Sequence, residues 1–238
     1  MILRVSASTR ESGASADAVE HVRDAIRSGR FAPGDRIVER EIADELGISS
    51  IAVRDAFARL AQEGWIERLP RRGVRVRPLD AETIDDITSV RALLEGEAAS
   101  RAAARIARGD VDGELDGSAL GLVEGIPTAM TRAGRRGDRD ALLALDDAFH
   151  AALWHLAGSP TLEEMLQNLR ARVTPLIRES LHLIPDDELP QMGEWHAELL
   201  AAIHEGPRPA RTAAAHHTDR TRTRVLAAGD AHHEGGGR

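Results

Sequence analysis

The sequence predicts a mainly α fold in two parts: three helices closed by a β-hairpin, then an all-helical bundle. Three observations carry this. Apolar residues recur at helical spacing through most of the chain. A strand-like stretch occurs only between Trp65 and Arg77. Glycine and proline breaks separate the periodic segments.

Met1–Gly13 is polar and is expected to be disordered. Ser15–Ser28 carries Ala18, Val19, Val22, Ala25 and Ile26 at helical spacing, and Gly29 with Pro33-Gly34 turns the chain. Glu39–Leu46 is a short amphipathic helix with Ile42, Ala43 and Leu46 on one face, stopped by Gly47. Ser49 or Ser50 then caps a third helix that runs to Gln62 or Glu63 and stops at Gly64. Trp65–Leu69 and Val74–Arg77, joined by the turn Pro70–Gly73, form a two-stranded ribbon with a basic tip. Helix, helix, turn, helix, hairpin is the order of a winged helix-turn-helix, here over residues 14–79.

From Ala81 onward the periodicity is helical throughout. Thr83–Ala107, Ala119–Arg132, Arg139–Ala157, Thr161–His182, Pro190–Glu205 and Ala210–Ala228 read as a bundle of about six helices in a unit spanning 80–228. The glycine-rich tail, 229–238, is expected to be disordered.

The 238 residues suffice for one large domain or two smaller ones. The absence of cysteine excludes disulfides, thiolate metal sites and a cysteine nucleophile. No run of about 18 apolar residues occurs, and the N-terminus lacks the apolar core of a secretory signal, so a cytoplasmic protein is expected. The net charge of −8 is unevenly spread: through Asp80, 14 arginines face 13 carboxylates, and the rest of the chain is acidic. Arg68, Arg71, Arg72, Arg75 and Arg77 form a basic run suited to phosphates.

Residues 30–79 resemble the GntR family of regulators. The matching pieces are Pro33-Gly34-Asp35-Arg36-Ile37, Glu39-Arg40-Glu41-Ile42-Ala43, Leu46-Gly47-Ile48-Ser49, Val53-Arg54-Asp55-Ala56, Glu63-Gly64-Trp65-Ile66 and Arg71-Arg72-Gly73-Val74. The remainder resembles that family's FCD subgroup through Val90-Arg91-Ala92-Leu93-Leu94-Glu95, Asp146-Asp147-Ala148-Phe149-His150, His196 and His216-His217. The resemblance implies a homodimeric repressor that binds double-stranded operator DNA and is released by a small-molecule effector. A recognition helix presents its first residues to base edges, here Ser49, Ser50, Ile51 and Arg54. The resemblance adds contacts from Arg40 and from the wing at Arg72 and Gly73. Ser50 and Ala52 stand where the family usually has arginine and proline, so an altered operator preference is expected.

Asp146 and His150, at i and i+4, share one helix face and suit a divalent ion such as Zn²⁺, Mn²⁺ or Ni²⁺. The resemblance implies that an aspartate and three histidines, Asp146, His150, His196 and His217, hold that ion and help bind a small carboxylate effector. His216 stays open as the alternative to His217, because the irregular stretch Gly206–Pro209 can shift the register by one. His155 and His204 do not fit the ligand pattern. Arg91 is the candidate for an effector carboxylate, with an ion pair to Glu95 as the equal alternative; Arg172 and Arg178 are weaker candidates. An ion that is itself the signal is a second reading. A metal-dependent hydrolase is a third, for which Asp147 is the one adjacent general base. No enzymatic activity is expected.

Overall fold

The structure, a computed structural model, describes the backbone of residues 3–69, 73–111 and 114–235, and side chains within 13–69, 73–111 and 117–227. The chain forms two compact units, Met1–Leu79 and Asp80–Arg238.

The first unit begins with α1 (Leu3–Arg27), followed by the short strand β1 (Arg36–Ile37) and α2 (Glu39–Leu46). Next come α3 (Ser50–Gln62), β2 (Ile66–Leu69) and β3 (Gly73–Val76). The stripe Ala18, Val19, Val22, Ala25 and Ile26 is buried as its spacing requires, and α1 packs on α3 through Ala52, Val53, Ala56, Phe57 and Leu60. Gly47 ends α2 in the left-handed region, φ 64°, where a side chain would be strained. Ser49 is the cap of α3: its Oγ accepts the Ala52 N–H at 3.2 Å.

Two features of this unit differ from the sequence reading. The sheet has three strands, not two, in the order β1-β3-β2, with Ile37 opposite Val74 and Ile66 opposite Val76. A two-residue strand is too short to show alternation, so β1 is invisible to a period-based reading. The segment read as disordered, through Gly13, belongs to α1 from Leu3 onward; it contains no proline to break the helix.

The second unit consists of α4 (Ala81–Arg108), α5 (Glu114–Gly134), α6 (Arg139–Leu156), α7 (Pro160–Leu183), α8 (Gln191–Glu205) and α9 (Pro207–Gly235). Asp80 caps α4 by accepting the Thr83 N–H at 2.8 Å, and Asp138 caps α6 by accepting the Ala141 N–H at 3.0 Å. α9 lies along α4 and also meets α7 and α8, while α6 packs on α5, α4 and α7. The core is filled by Met130, Leu142, Phe149, Leu153, Trp154 and Leu166. α5 and α8 touch backbone to backbone: a Cβ on Gly193 would stand 2.5 Å from the Pro127 carbonyl oxygen.

α9 begins at Pro207 and continues to Gly235, into the stretch 229–238 read as a disordered tail. Pro207 and Pro209 sit in its first turn, where the missing N–H groups cost nothing. Gly206, at φ 130° and ψ −177°, separates α8 from α9, so the irregularity the sequence reading allowed over Gly206–Pro209 is confined to that one residue. Among the described residues no helix is long and apolar enough to cross a membrane.

Candidate metal centre and nucleic-acid interface

Three helices deliver four donors to one interior point. Asp146 and His150 come from α6, His196 from α8 and His217 from α9; all four are buried, and their ligand atoms lie within 4.8 Å of one another. Ligands around a tetrahedral ion with bonds of ~2.1 Å are about 3.4 Å apart, so the four donors would draw inward on one ion. His217, not His216, faces inward: it is buried, whereas His216 is exposed.

The hydrogen bonding prepares these groups to be ligands. His196 Nδ1 lies 2.7 Å from the Met192 carbonyl oxygen, which makes Nδ1 the donor and leaves the Nε2 lone pair free. That Nε2 sits 3.0 Å from Asp146 Oδ1 yet is not aligned to hydrogen-bond it. His150 turns Nδ1 toward Glu95 Oε2 at 3.3 Å and Nε2 toward His217 Nε2, also at 3.3 Å. His150 Nδ1 and His196 Nε2 are buried beside carboxylates without a hydrogen bond, and the Nε2 atoms of His150 and His217 meet each other, so a divalent ion would give this cluster the partner it lacks.

Electrostatics keep Asp146, His150 and His217 in the forms an ion requires. Burial would raise the Asp146 carboxyl, but the Arg170 guanidinium and the adjacent imidazoles outweigh it and hold the group well below the usual carboxylate range. Burial lowers both His150 and His217, and for His217 the neighbouring His196 and His150 add to the effect. A carboxylate with neutral imidazoles is the ligand state for a divalent ion.

A second layer of residues holds this set, and sequence reasoning missed most of it. Arg170 on α7 donates from Nη2 to Asp146 Oδ2 and from Nε to Asp147 Oδ1 at 2.8 Å. Its position in the buried stripe Leu162, Leu166, Arg170, Val173 and Ile177 was the signal available: a charge at a core position. Glu95 accepts hydrogen bonds from Arg91 Nη2 at Oε1 (2.6 Å) and from Trp154 Nε1 at Oε2 (3.1 Å), besides facing His150. The Arg91–Glu95 pair therefore exists, and Arg91 also retains Nε and Nη1 buried without a hydrogen-bond partner. Arg178 instead pairs with exposed Asp140 at 3.0 Å, and Arg172 is half-buried on the same helix. Asp147, the one adjacent general base considered, is held by Arg170.

In the first unit the positions expected to read bases lie on the open side of α3. Ser50 is exposed, and Ile51 leaves 60% of its surface in solvent. Ser49 Oγ is engaged as the helix cap. Arg54 is exposed and donates from Nε to both Glu39 oxygens, at 2.9 and 3.0 Å. Arg40 projects into solvent beside Asp44, 3.6 Å away. Gly73 opens β3 at φ 84°, with nothing within 4 Å of where a Cβ would be. Arg72, together with Pro70 and Arg71, lies outside the described residues.

The profile "Bacterial regulatory proteins, gntR family" matches residues 14–76, and that of the FCD domain matches residues 86–220. An HTH-type transcriptional regulator of Agrobacterium vitis is 34% identical over 61% of this chain and 82% of its own. A probable D-xylose utilization operon transcriptional repressor of Paenarthrobacter nicotinovorans is 30% identical over 81% of this chain and 80% of its own. Among solved structures, Escherichia coli McbR/YncC superposes with a TM-score of 0.69 at 21% identity, over 92% of this chain and 98% of that one. A GntR regulator of Rhodococcus sp. RHA1 superposes with a TM-score of 0.64 at 22% identity, over 90% of this chain and 97% of that one; these two likenesses speak to fold alone. Since the two profiles between them cover both units, the chain belongs to the gntR family of bacterial regulatory proteins, as a transcription regulator with an FCD domain and not as an enzyme.

Proposed function

We propose that this regulator binds a palindromic operator as a homodimer, through α3 in the major groove and the wing beside it, and that a small carboxylate metabolite releases it. The observation that carries the effector half of this reading is the buried four-ligand cluster with the unpartnered Nε and Nη1 of Arg91 in the same interior. Asp146, His150, His196 and His217 hold the divalent ion, which when bound supplies a positive centre for a carboxylate. Arg170 and Glu95 fix the orientation of the ligands. The depth of the cluster favours a resident ion over one that exchanges as a signal. Zn²⁺, Mn²⁺ and Ni²⁺ all suit three imidazoles and a carboxylate.

For DNA, Arg40, Ser50 and Arg54 are placed to meet the duplex, Ser49 serves through its helix cap, and Arg72 and Gly73 belong to the wing. Repression is the role of relatives such as the probable D-xylose utilization operon repressor, and a cytoplasmic location follows from operator binding. Selection of duplexes from a random-sequence pool tests this. The reading expects an inverted repeat with half-sites about one helical turn apart, and its release by carboxylates only from metal-loaded protein. Enrichment of no sequence, or release that ignores the metal, contradicts it.

A further inference from the structure

A groove of about 290 Å³ runs between α3 and the hairpin. Arg54 of α3 lies in it, with Arg68 of β2 and Gly73 of β3 on the hairpin side. Among its described lining residues Glu39, the first residue of α2, is the one acid. Where α3 meets DNA, a carboxylate in this groove opposes the arriving phosphates, so its presence weakens binding unless it does something else.

The contacts of Glu39 show what that is. The positive end of α2 favours a carboxylate at this position, and the preceding Val38 offers no side-chain cap. From there Glu39 takes the Nε–H of Arg54 between its two oxygens, at 2.9 and 3.0 Å. A guanidinium carries five N–H donors in a rigid fork. One is spent on Glu39, and the four on Nη1 and Nη2 meet no protein acceptor among the described residues. Arg54, with 65% of its side chain in solvent, is therefore held at its inner edge and open at its outer one. The outer edge is the pair of nitrogens that spans O6 and N7 of a guanine, whereas adenine offers one acceptor and one donor there and does not match. A contact between exposed charges contributes little to stability, so its value lies in restricting a side chain of many rotamers before DNA arrives. Arg40 provides the contrast: its Nε lies 3.6 Å from Asp44, too far to fix the direction of the guanidinium.

We infer that Glu39 is the positioning residue that aims Arg54 at guanine, holding Nε and leaving Nη1 and Nη2 as a pre-set fork, at the expense of attraction for DNA at large. The inference rests on reading α3 as the recognition helix and names the residue that sets its base preference.

The test is a base-by-base substitution scan of the selected duplex, with random duplex alongside, read by fluorescence anisotropy on full-length protein. Wild type is compared with Arg54→Ala, Glu39→Ala, Glu39→Gln, Asp44→Asn and the double variant Arg54→Ala/Glu39→Ala. The position where wild type prefers guanine and Arg54→Ala does not marks the contact. There Glu39→Ala should cut the preference for guanine over adenine about tenfold, while binding random duplex as well as wild type or up to about threefold more tightly. A variant that had only lost its fold would bind both duplexes worse. Glu39→Gln keeps the shape and one acceptor, so it should lose about threefold of the preference, and it carries the test if the alanine variant does not fold. In the double variant Glu39→Ala should add nothing to Arg54→Ala, because it acts through that side chain. Asp44→Asn should leave the preference within about twofold of wild type. The inference is overturned if folded Glu39 variants keep the wild-type preference, if selected and random duplex weaken together, or if the double variant loses more than Arg54→Ala. If Arg54→Ala keeps every base preference, the recognition-helix reading falls and this inference with it. If Arg54→Ala loses one and the folded Glu39 variants do not, the reading stands and this inference alone falls.

Discussion

Glu95 is the residue on which the interior of the helical unit turns, since one carboxylate neutralises Arg91, anchors the Trp154 indole and faces His150. Glu95→Gln keeps the shape but leaves Arg91 as a buried charge without its counter-ion, which costs about 3–5 kcal/mol. It should also loosen His150 and weaken metal binding about 10–100-fold. Urea unfolding and a zinc competition titration read the two effects separately, and unchanged values in both would remove Glu95 from this role. Asp146→Ala and His196→Ala should each bring the metal content close to zero by plasma mass spectrometry. His155→Ala and His204→Ala should retain it, since those rings face Glu163 and Glu124 near the surface. The pair Asp146/His150 was readable in the sequence because i and i+4 share a helix face. Glu95 as partner of His150, and Arg170 as partner of Asp146, were not, because long-range pairing leaves no periodic trace.

At the scale of elements, the helices were legible because apolar periodicity and breakers such as Gly47 after α2 mark them, whereas the caps Asp80 before α4 and Asp138 before α6 emerge only in the structure. What local chemistry could not decide was β1, too short for a period, and the lengths of α1 and α9, whose ends are polar but contain nothing that stops a helix beyond the first turn. Ser49→Ala removes the cap that accepts the Ala52 N–H and should cost about 1 kcal/mol. Calorimetry should show this as a lower transition for the first unit, and an unchanged transition would mean that the cap contributes nothing. Gly193→Ala forces a Cβ against the Pro127 carbonyl and the Thr131 backbone, so α8 must move off α5. We expect at least about 1–3 kcal/mol of destabilisation, confined to the helical unit. Wild-type unfolding would show that the two helices part without penalty. The same displacement shifts Met192 and His196, so metal affinity should fall with stability.

Across the whole molecule, function is divided by unit and by charge. A near-neutral first unit with a local run of arginines meets DNA, while the acidic helical unit discourages indiscriminate attachment. The layout of the two units was readable from the sequence because each has its own period and its own breaks. The meeting of α6, α8 and α9 at one four-donor point was not, because it exists only where the three helices close together. We propose that α3, with Arg54 on its exposed face, reads DNA. A salt titration of binding to the selected duplex and to random duplex, for wild type and Arg54→Ala, tests this. Salt-sensitive binding that prefers the selected duplex is expected, with that preference reduced about 10–100-fold by Arg54→Ala. Equal affinity of the two proteins for the selected duplex at every salt concentration would contradict it.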